Sequence, residues 1–178
     1  MTASRPTTTR EALQRAIARR RRRQTKARWW RFGILAAAVL VADQVTKEII
    51  RATLERGDRR EVVPGFSISY VTNEGIAFGL FPGRQAAVAI LTVIALCAIA
   101  VALAGLVARN ATVAAGAGLL VGGSIGNLID RLAHGAVTDF LDPARWPAFN
   151  IADIGIVTGA ALIVLGLLRD AEEAEEPG

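Results

Sequence analysis

Asp139 and Asp153 are the residues of this sequence most suited to chemistry. Neither carboxylate has a basic neighbour along the chain to discharge it. A carboxylate left free in this way can exchange protons with water or a substrate. Around them stand other polar groups in or beside apolar runs, where an ionisable side chain is costly and by default marks a site. Asp43 and Lys47 are four residues apart and share one helix face, so they can neutralise each other or help to shape a site. Asp130 and Arg131 are adjacent and could form an interfacial ion pair. Asn127 and Asn150 could hydrogen-bond between helices, as amides do in bundles. Asp142 precedes Pro143 and reads as a turn residue, and His134, the only histidine, reads as structural.

Two other chemistries are written in the same stretch. Gly122-Gly123-Ser124-Ile125-Gly126 satisfies the G-x-S-x-G pattern of a serine nucleophile, which needs a sharp strand-to-helix turn. Here the pattern lies inside an apolar helical run, and His134 is roughly 15 Å further along such a helix. The glycines are better explained as letting helices approach closely. Asp130, Asp139 and Asp153 could together hold a hard cation such as Mg²⁺ in a lipid head-group enzyme, although their spacing matches no metal motif. A non-enzymatic four-helix transporter or assembly protein is the remaining alternative.

The elements that must position these residues are membrane spans. Of 178 residues 52% are hydrophobic and only 6% aromatic, and several apolar runs reach the roughly 20 residues that cross a bilayer. Spans are expected at about 29–50, 85–107, 111–131 and 148–168. Between the first two, Phe66, Ile68 and Tyr70 alternate with Ser67 and Ser69, the period of a half-buried strand. Asn73-Glu74-Gly75 then supplies a turn, and Ile76 to Phe81 could return as a second strand. The fold class expected is therefore a mainly α integral membrane protein, with four transmembrane helices and a small extracytoplasmic β element over about 52–84.

The net charge of +5 is unevenly spread. Residues 1–28 crowd Arg and Lys around a single acid, Glu11, and read as a disordered or loosely helical cytoplasmic tail that attracts anionic lipid. A nucleic-acid partner is not expected, because the basic run stops where the first apolar segment starts. Four spans put both termini on one side, and the basic cluster makes that side cytoplasmic. Arg51, Arg56, Arg59, Arg60 and Arg84 pull the other way but are fewer. The acidic segment 169–178 is a second cytoplasmic tail. With this topology Asp43, Lys47, Asn73, Asn127, Asp130, Arg131, Asp139, Asn150 and Asp153 all fall near the outer face. The lone Cys97 forms no disulfide within one chain. Asp43 and Lys47, not a small-residue cleavage site, lie in the first apolar segment, which therefore reads as a span and not as a cleaved leader.

Five segments together resemble the lipoprotein signal peptidase (signal peptidase II) family. Asp43-Gln44-Val45-Thr46-Lys47 resembles its D-Q-x-[ST]-K motif, and Asn73-Glu74-Gly75-Ile76-Ala77-Phe78 its N-x-G-x-[AS]-F motif. Gly122 to Arg131 resembles G-G-x-x-G-N-x-x-D-R, Val137-Thr138-Asp139-Phe140 resembles V-x-D-F, and Pro147 to Asp153 resembles P-x-F-N-x-A-D. They occur in the family's order over about residues 30–168. Ile154 departs from the Ser or Ala frequent after the second aspartate, and the Arg-rich tail lies outside the family core.

The resemblance implies an aspartic endopeptidase with Asp139 and Asp153 as catalytic dyad and no cofactor or metal. It implies supporting or substrate-binding roles for Asp43, Lys47, Asn73, Gly75, Asn127, Asp130, Arg131 and Asn150. The implied substrate is a prolipoprotein whose cysteine carries a diacylglyceryl group, cut just before that cysteine by a monomeric enzyme of the bacterial cell membrane. Such a dyad needs one carboxyl ionised and one protonated, a condition that like charges close together promote.

Overall fold

The computed structural model describes residues 9–74 and 85–175. Gly75 and the expected return strand Ile76 to Phe81 lie outside the described residues. Four helices and three strands follow in the order α1 (Thr9–Thr53), β1 (Arg59–Val63), β2 (Phe66–Asn73), α2 (Gln85–Val107), α3 (Ala111–His134), β3 (Val137–Pro143) and α4 (Ile151–Glu175).

The helix α1 runs 45 residues without a break. The basic segment, expected to be disordered or loosely helical, is helical from Thr9 onward and continuous with the apolar part. Its Arg, Lys, Ala, Gln and Leu residues are strong helix formers, and neither Gly nor Pro interrupts 9–32. The apolar part supplies a nucleus already formed, so propagation toward the N-terminus needs no new nucleation.

Helix α3 is the hub, packed against α1, α2 and α4. Its glycines make the close crossings possible. A Cβ on Gly122 would collide with the carbonyl oxygen of Ala36 in α1, and one on Gly123 with that of Ala152 in α4. A Cβ on Gly126 would lie 2.5 Å from Asp43 Oδ2. The G-x-S-x-G match is thus a helix-packing surface in an uninterrupted helix. Gly122→Ala is expected to destabilise the fold by about 1–3 kcal/mol, the usual result of overpacking, because the obstructing atom is backbone. A lowered thermal midpoint in detergent checks this.

One end of the bundle is closed by Val107, Val113, Ala114 and Ala117, with Phe32 and Ile163 packed against them. Asn110 caps α3 there, its Oδ1 accepting from Thr112 N at 2.8 Å and Val113 N at 3.0 Å. Its Nδ2 donates to Gly166 O and Asp170 Oδ1 of α4. At the opposite end Ile50, Leu54, Tyr70 and Phe140 join α1 to the sheet. Gly135, at φ 77°, terminates α3 in the left-handed conformation that glycine tolerates.

The sheet has the order β1-β2-β3, antiparallel throughout. The expected strand at Phe66 is β2, but one of its partners, β3, comes from far downstream in the chain. Ile68 pairs with Leu141, Val71 with Asp139 and Asn73 with Val137, with a bulge between Ile68 and Val71. Residues 137–143, expected to be part of a polar connection, pair because both faces of that segment are covered: Val137 to Phe140 are all buried.

Helices α2, α3 and α4 each contain a stretch long and apolar enough to cross a membrane: Ile90–Val107, Ala111–His134 and Ile151–Glu172. In α2 only 6% of that stretch is buried within the protein, so its apolar surface requires lipid. Four spans were expected, and α1 does not meet the same criterion, because Arg31, Asp43, Lys47 and Glu48 punctuate its apolar run. Asp43 and Lys47, however, are fully buried against the other helices.

Candidate active site

The polar residues singled out in the sequence converge at the sheet end of the bundle. Helix α1 supplies Asp43 and Lys47, and the last two turns of α3 supply Asn127, Asp130 and Arg131. Strand β3 supplies Asp139, β2 ends on Asn73, and Asn150 with Asp153 opens α4.

Asn150 is the N-cap of α4, and the pair forms a reciprocal capping box. Asn150 Oδ1 accepts from Asp153 N at 3.0 Å, and Asp153 Oδ2 accepts from Asn150 N at 3.2 Å. Asp43 satisfies a further amide of the same helix start, accepting from Ala152 N at 2.9 Å. The chain between Asp139 and Asp153 doubles back on itself, since Phe140 N and Leu141 N donate to Phe149 O, and Phe149 N to Leu141 O. That hairpin-like return brings the two aspartates to one place.

The same Asn150 touches both of them. Its Nδ2 donates to Asp139 Oδ1 at 2.7 Å while its backbone N–H holds Asp153. Asn73 Nδ2 donates to the other Asp139 oxygen at 3.2 Å, and Asn127 Nδ2 to Asp153 Oδ1 at 2.8 Å. Burial, reinforced by the charge of Asp153, pushes the Asp139 carboxyl up to about 6, against the opposing pull of the Asn73 and Asn150 hydrogen bonds.

Beneath this pair lies a buried charge cluster. Lys47 is fully enclosed, its Nζ 2.8 Å from Asp43 Oδ2, 2.8 Å from Asn127 Oδ1 and 3.4 Å from Asp130 Oδ2. All three ammonium donors are therefore used. Accepting from Lys47 orients the Asn127 amide so that its NH₂ faces Asp153.

The alternative pairing of Asp130 with Arg131 is corrected by the structure. Neighbouring residues on a helix do not face each other. Asp130 turns to Lys47, to Arg51 at 3.3 Å and to the backbone N–H of Thr138 at 2.8 Å. Arg131 turns the other way, donating to Asn127 O at 3.3 Å, with a buried Nε that has no hydrogen-bond partner among the described residues. Arg51 was not singled out in the sequence, yet it also binds Thr138 Oγ1 at 3.0 Å. Its spacing carried the signal, because Asp43, Lys47 and Arg51 continue one i, i+4 row.

A cavity of about 310 Å³ opens beside Asp153, walled by Asn127, Arg131, Ser124, Thr92 and Ile156. Ser124 thus reaches the site, but His134 is the exposed last residue of α3 and stands well away from it. Asp130 is occupied by two cations and does not join Asp139 and Asp153 in a cation-binding set; among the described residues no three such side chains do.

The arrangement has known counterparts. The family described as signal peptidase (SPase) II matches residues 35–169. A lipoprotein signal peptidase of Pelotomaculum thermopropionicum is 40% identical over 144 residues, covering 80% of this chain and 95% of that protein. One from Geobacter metallireducens is 42% identical over 147 residues, with 78% and 91% covered. A bacterial membrane enzyme solved by the in meso method superposes with a TM-score of 0.70 at 35% identity, over 82% of this chain and 92% of that one. About four-fifths of the chain is covered by such relatives, and this bacterial membrane protein belongs to the signal peptidase II family of lipoprotein-processing peptidases.

Proposed function

We propose that this chain removes the signal peptide from diacylglyceryl-modified prolipoproteins, cutting before the lipidated cysteine with Asp139 and Asp153 as an aspartyl dyad. The observation that carries the reading is the bridging of both carboxyls by Asn150, one through its side chain and one through its backbone. Asp153 sits at a helix N-terminus, where negative charge is favoured, and takes the role of base. It draws a proton from water, which attacks the scissile carbonyl. Asp139 holds the other proton, donates a hydrogen bond to the carbonyl oxygen and then protonates the leaving amine. Arg131 and Asn127 line the cavity where the peptide enters, and Asn73, at the end of β2, holds Asp139. Both aspartates come from one chain, so a monomer is complete.

The topology that goes with this reading has four spans. The charges of α1 that argue against a span are buried and paired inside the bundle, which removes the penalty of exposing them to lipid. Both termini are cytoplasmic, the basic part of α1 meets anionic headgroups, and the dyad lies near the outer face, at the level of a lipid-bearing cysteine. The test is cleavage of a diacylglyceryl-modified prolipoprotein by the purified chain, with and without chelator; absence of cleavage, or dependence on added Mg²⁺, overturns the proposal.

The pH profile follows from Asp139. Its proton is needed and is lost above about pH 6, so kcat/KM is expected to fall as pH rises past that value. The Asn73 hydrogen bond favours the charged form, so Asn73→Ala should move this alkaline limb to higher pH while lowering the maximum. A limb that stays in place or moves down would contradict Asp139 as the proton donor.

A further inference from the structure

The strand that carries Asp139 is not fixed by its sheet alone. Its ladder with β2 is broken by the bulge between Ile68 and Val71, and Asp139 pairs at the edge of that break. A bulge disrupts the ladder locally. Thr138, the residue before Asp139, is held from three sides. Asp130 Oδ2 accepts from its backbone N–H at 2.8 Å, its carbonyl accepts from Asn150 Nδ2 at 3.3 Å, and its hydroxyl accepts from Arg51 Nη1 at 3.0 Å. Arg51 is itself pinned. The same Nη1 donates to Asp130 Oδ1 at 3.3 Å, while Nε and Nη2 donate to Glu48 Oε2 at 3.1 and 2.8 Å. The Glu48 side chain is 72% exposed and that of Asp130 fully buried, so the guanidinium reaches from solvent to the charge cluster.

We infer that Arg51 is a positioning residue for the reaction: it locks Thr138 against α1 and α3, and through the next peptide unit it sets where the Asp139 carboxyl stands relative to Asp153. The inference rests on the peptidase reading above. One planar peptide joins Thr138 to Asp139, with Cα atoms about 3.8 Å apart, so a shift of the first is passed to the second. Asn150 and Asn73 reach the two Asp139 oxygens from other elements, and a displaced carboxyl loses their geometry. Charge neutralisation does not account for Arg51, because Lys47 already pairs with Asp130 at 3.4 Å. The shape of the group does. A planar guanidinium meets Glu48, Asp130 and Thr138 at once, whereas a lysine ammonium is a single point on a flexible stem.

The test uses the purified full-length chain in detergent and a diacylglyceryl-modified prolipoprotein peptide, with kcat and KM measured separately and the unfolding temperature of each variant alongside. Arg51→Met should lower kcat about 10- to 100-fold, the scale of a displacement of about 1 Å at a reacting group, and leave KM within about twofold. Arg51→Lys returns the charge beside Asp130 without the fork, so it should recover most of the lost unfolding temperature yet leave kcat at least about fivefold below wild type. Thr138→Val removes the hydroxyl that Arg51 binds and should also lower kcat. Combined with Arg51→Met it should change kcat by no more than about twofold further, because the hydroxyl acts through Arg51. Arg59→Gln breaks another arginine pair of the same sheet, to Asp142 at 3.1 Å, and should leave kcat near wild type. If Arg51→Met does not fold, Arg51→Lys and Thr138→Val make the same comparison. Wild-type kcat in Arg51→Met or Thr138→Val, full recovery of kcat by Arg51→Lys, or losses that multiply in the double variant overturn the positioning role alone. A wild type that cleaves no peptide overturns the peptidase reading with it.

Discussion

Asp139→Asn and Asp153→Asn are each expected to slow prolipoprotein cleavage by roughly 10³–10⁴-fold, the upper range for loss of a general acid or base. The exchange keeps the shape of each side chain. Asn at 153 can still accept the Asn150 N–H that closes the α4 capping box, and Asn at 139 can still accept one of its two amide donors. The thermal midpoint should therefore move little while activity collapses. Ser124→Ala supplies the contrast: its hydroxyl borders the same cavity, and its loss should leave kcat near wild type. The measurement is cleavage of a diacylglyceryl-modified prolipoprotein alongside the unfolding temperature of each variant. Near-normal cleavage by either asparagine variant would end the aspartyl mechanism, and collapse in Ser124→Ala would point back to a serine nucleophile.

Lys47→Met should have the largest effect on stability, about 3–5 kcal/mol, as expected when one partner of a buried ion pair is removed. Asp43 and Asp130 are both fully buried. Without the ammonium, Asp43 keeps only the Ala152 N–H and the Gln44 amide, and Asp130 keeps Arg51 and the Thr138 N–H. Asn127 loses the donor that orients it, so activity should fall as well through Asp153. The double variant Asp43→Asn with Lys47→Met should recover much of the stability, because it removes the uncompensated charge along with the cation. A double-mutant cycle read by unfolding in detergent measures the coupling, expected to exceed about 1 kcal/mol for groups in direct contact. Additive effects would mean that the cluster is not a single charge network.

Some of this architecture is legible one residue at a time. The apolar runs that become α2, α3 and α4 stand out because hydropathy is a local property and a helix satisfies its own backbone. The glycines at 122, 123 and 126 announce close packing because only a missing Cβ permits it. Asp139 and Asp153 are conspicuous as carboxylates with no cation nearby in sequence. The strand β2 also shows itself, through alternation, but its partner β3 does not. A strand's hydrogen bonds are made with another segment, and nothing within 137–143 says which one. The helical state of the basic segment was equally hidden, since it depends on continuity with the rest of α1.

The tertiary structure alone decided which groups each carboxylate touches. Sequence order sets Asp130 beside Arg131, yet a helix points adjacent side chains about 100° apart, and the fold hands Asp130 to Lys47 and Arg51 while Arg131 faces the cavity. Asn150 could be recognised as an amide near a helix start, but not as a residue that holds both aspartates. The amino-acid order by itself determined which groups are available and how far along its own helix each helical one stands, because that follows from counting residues. Which of them touch is set by how the helices are rotated about their axes, and that rotation is an outcome of packing the whole bundle at once.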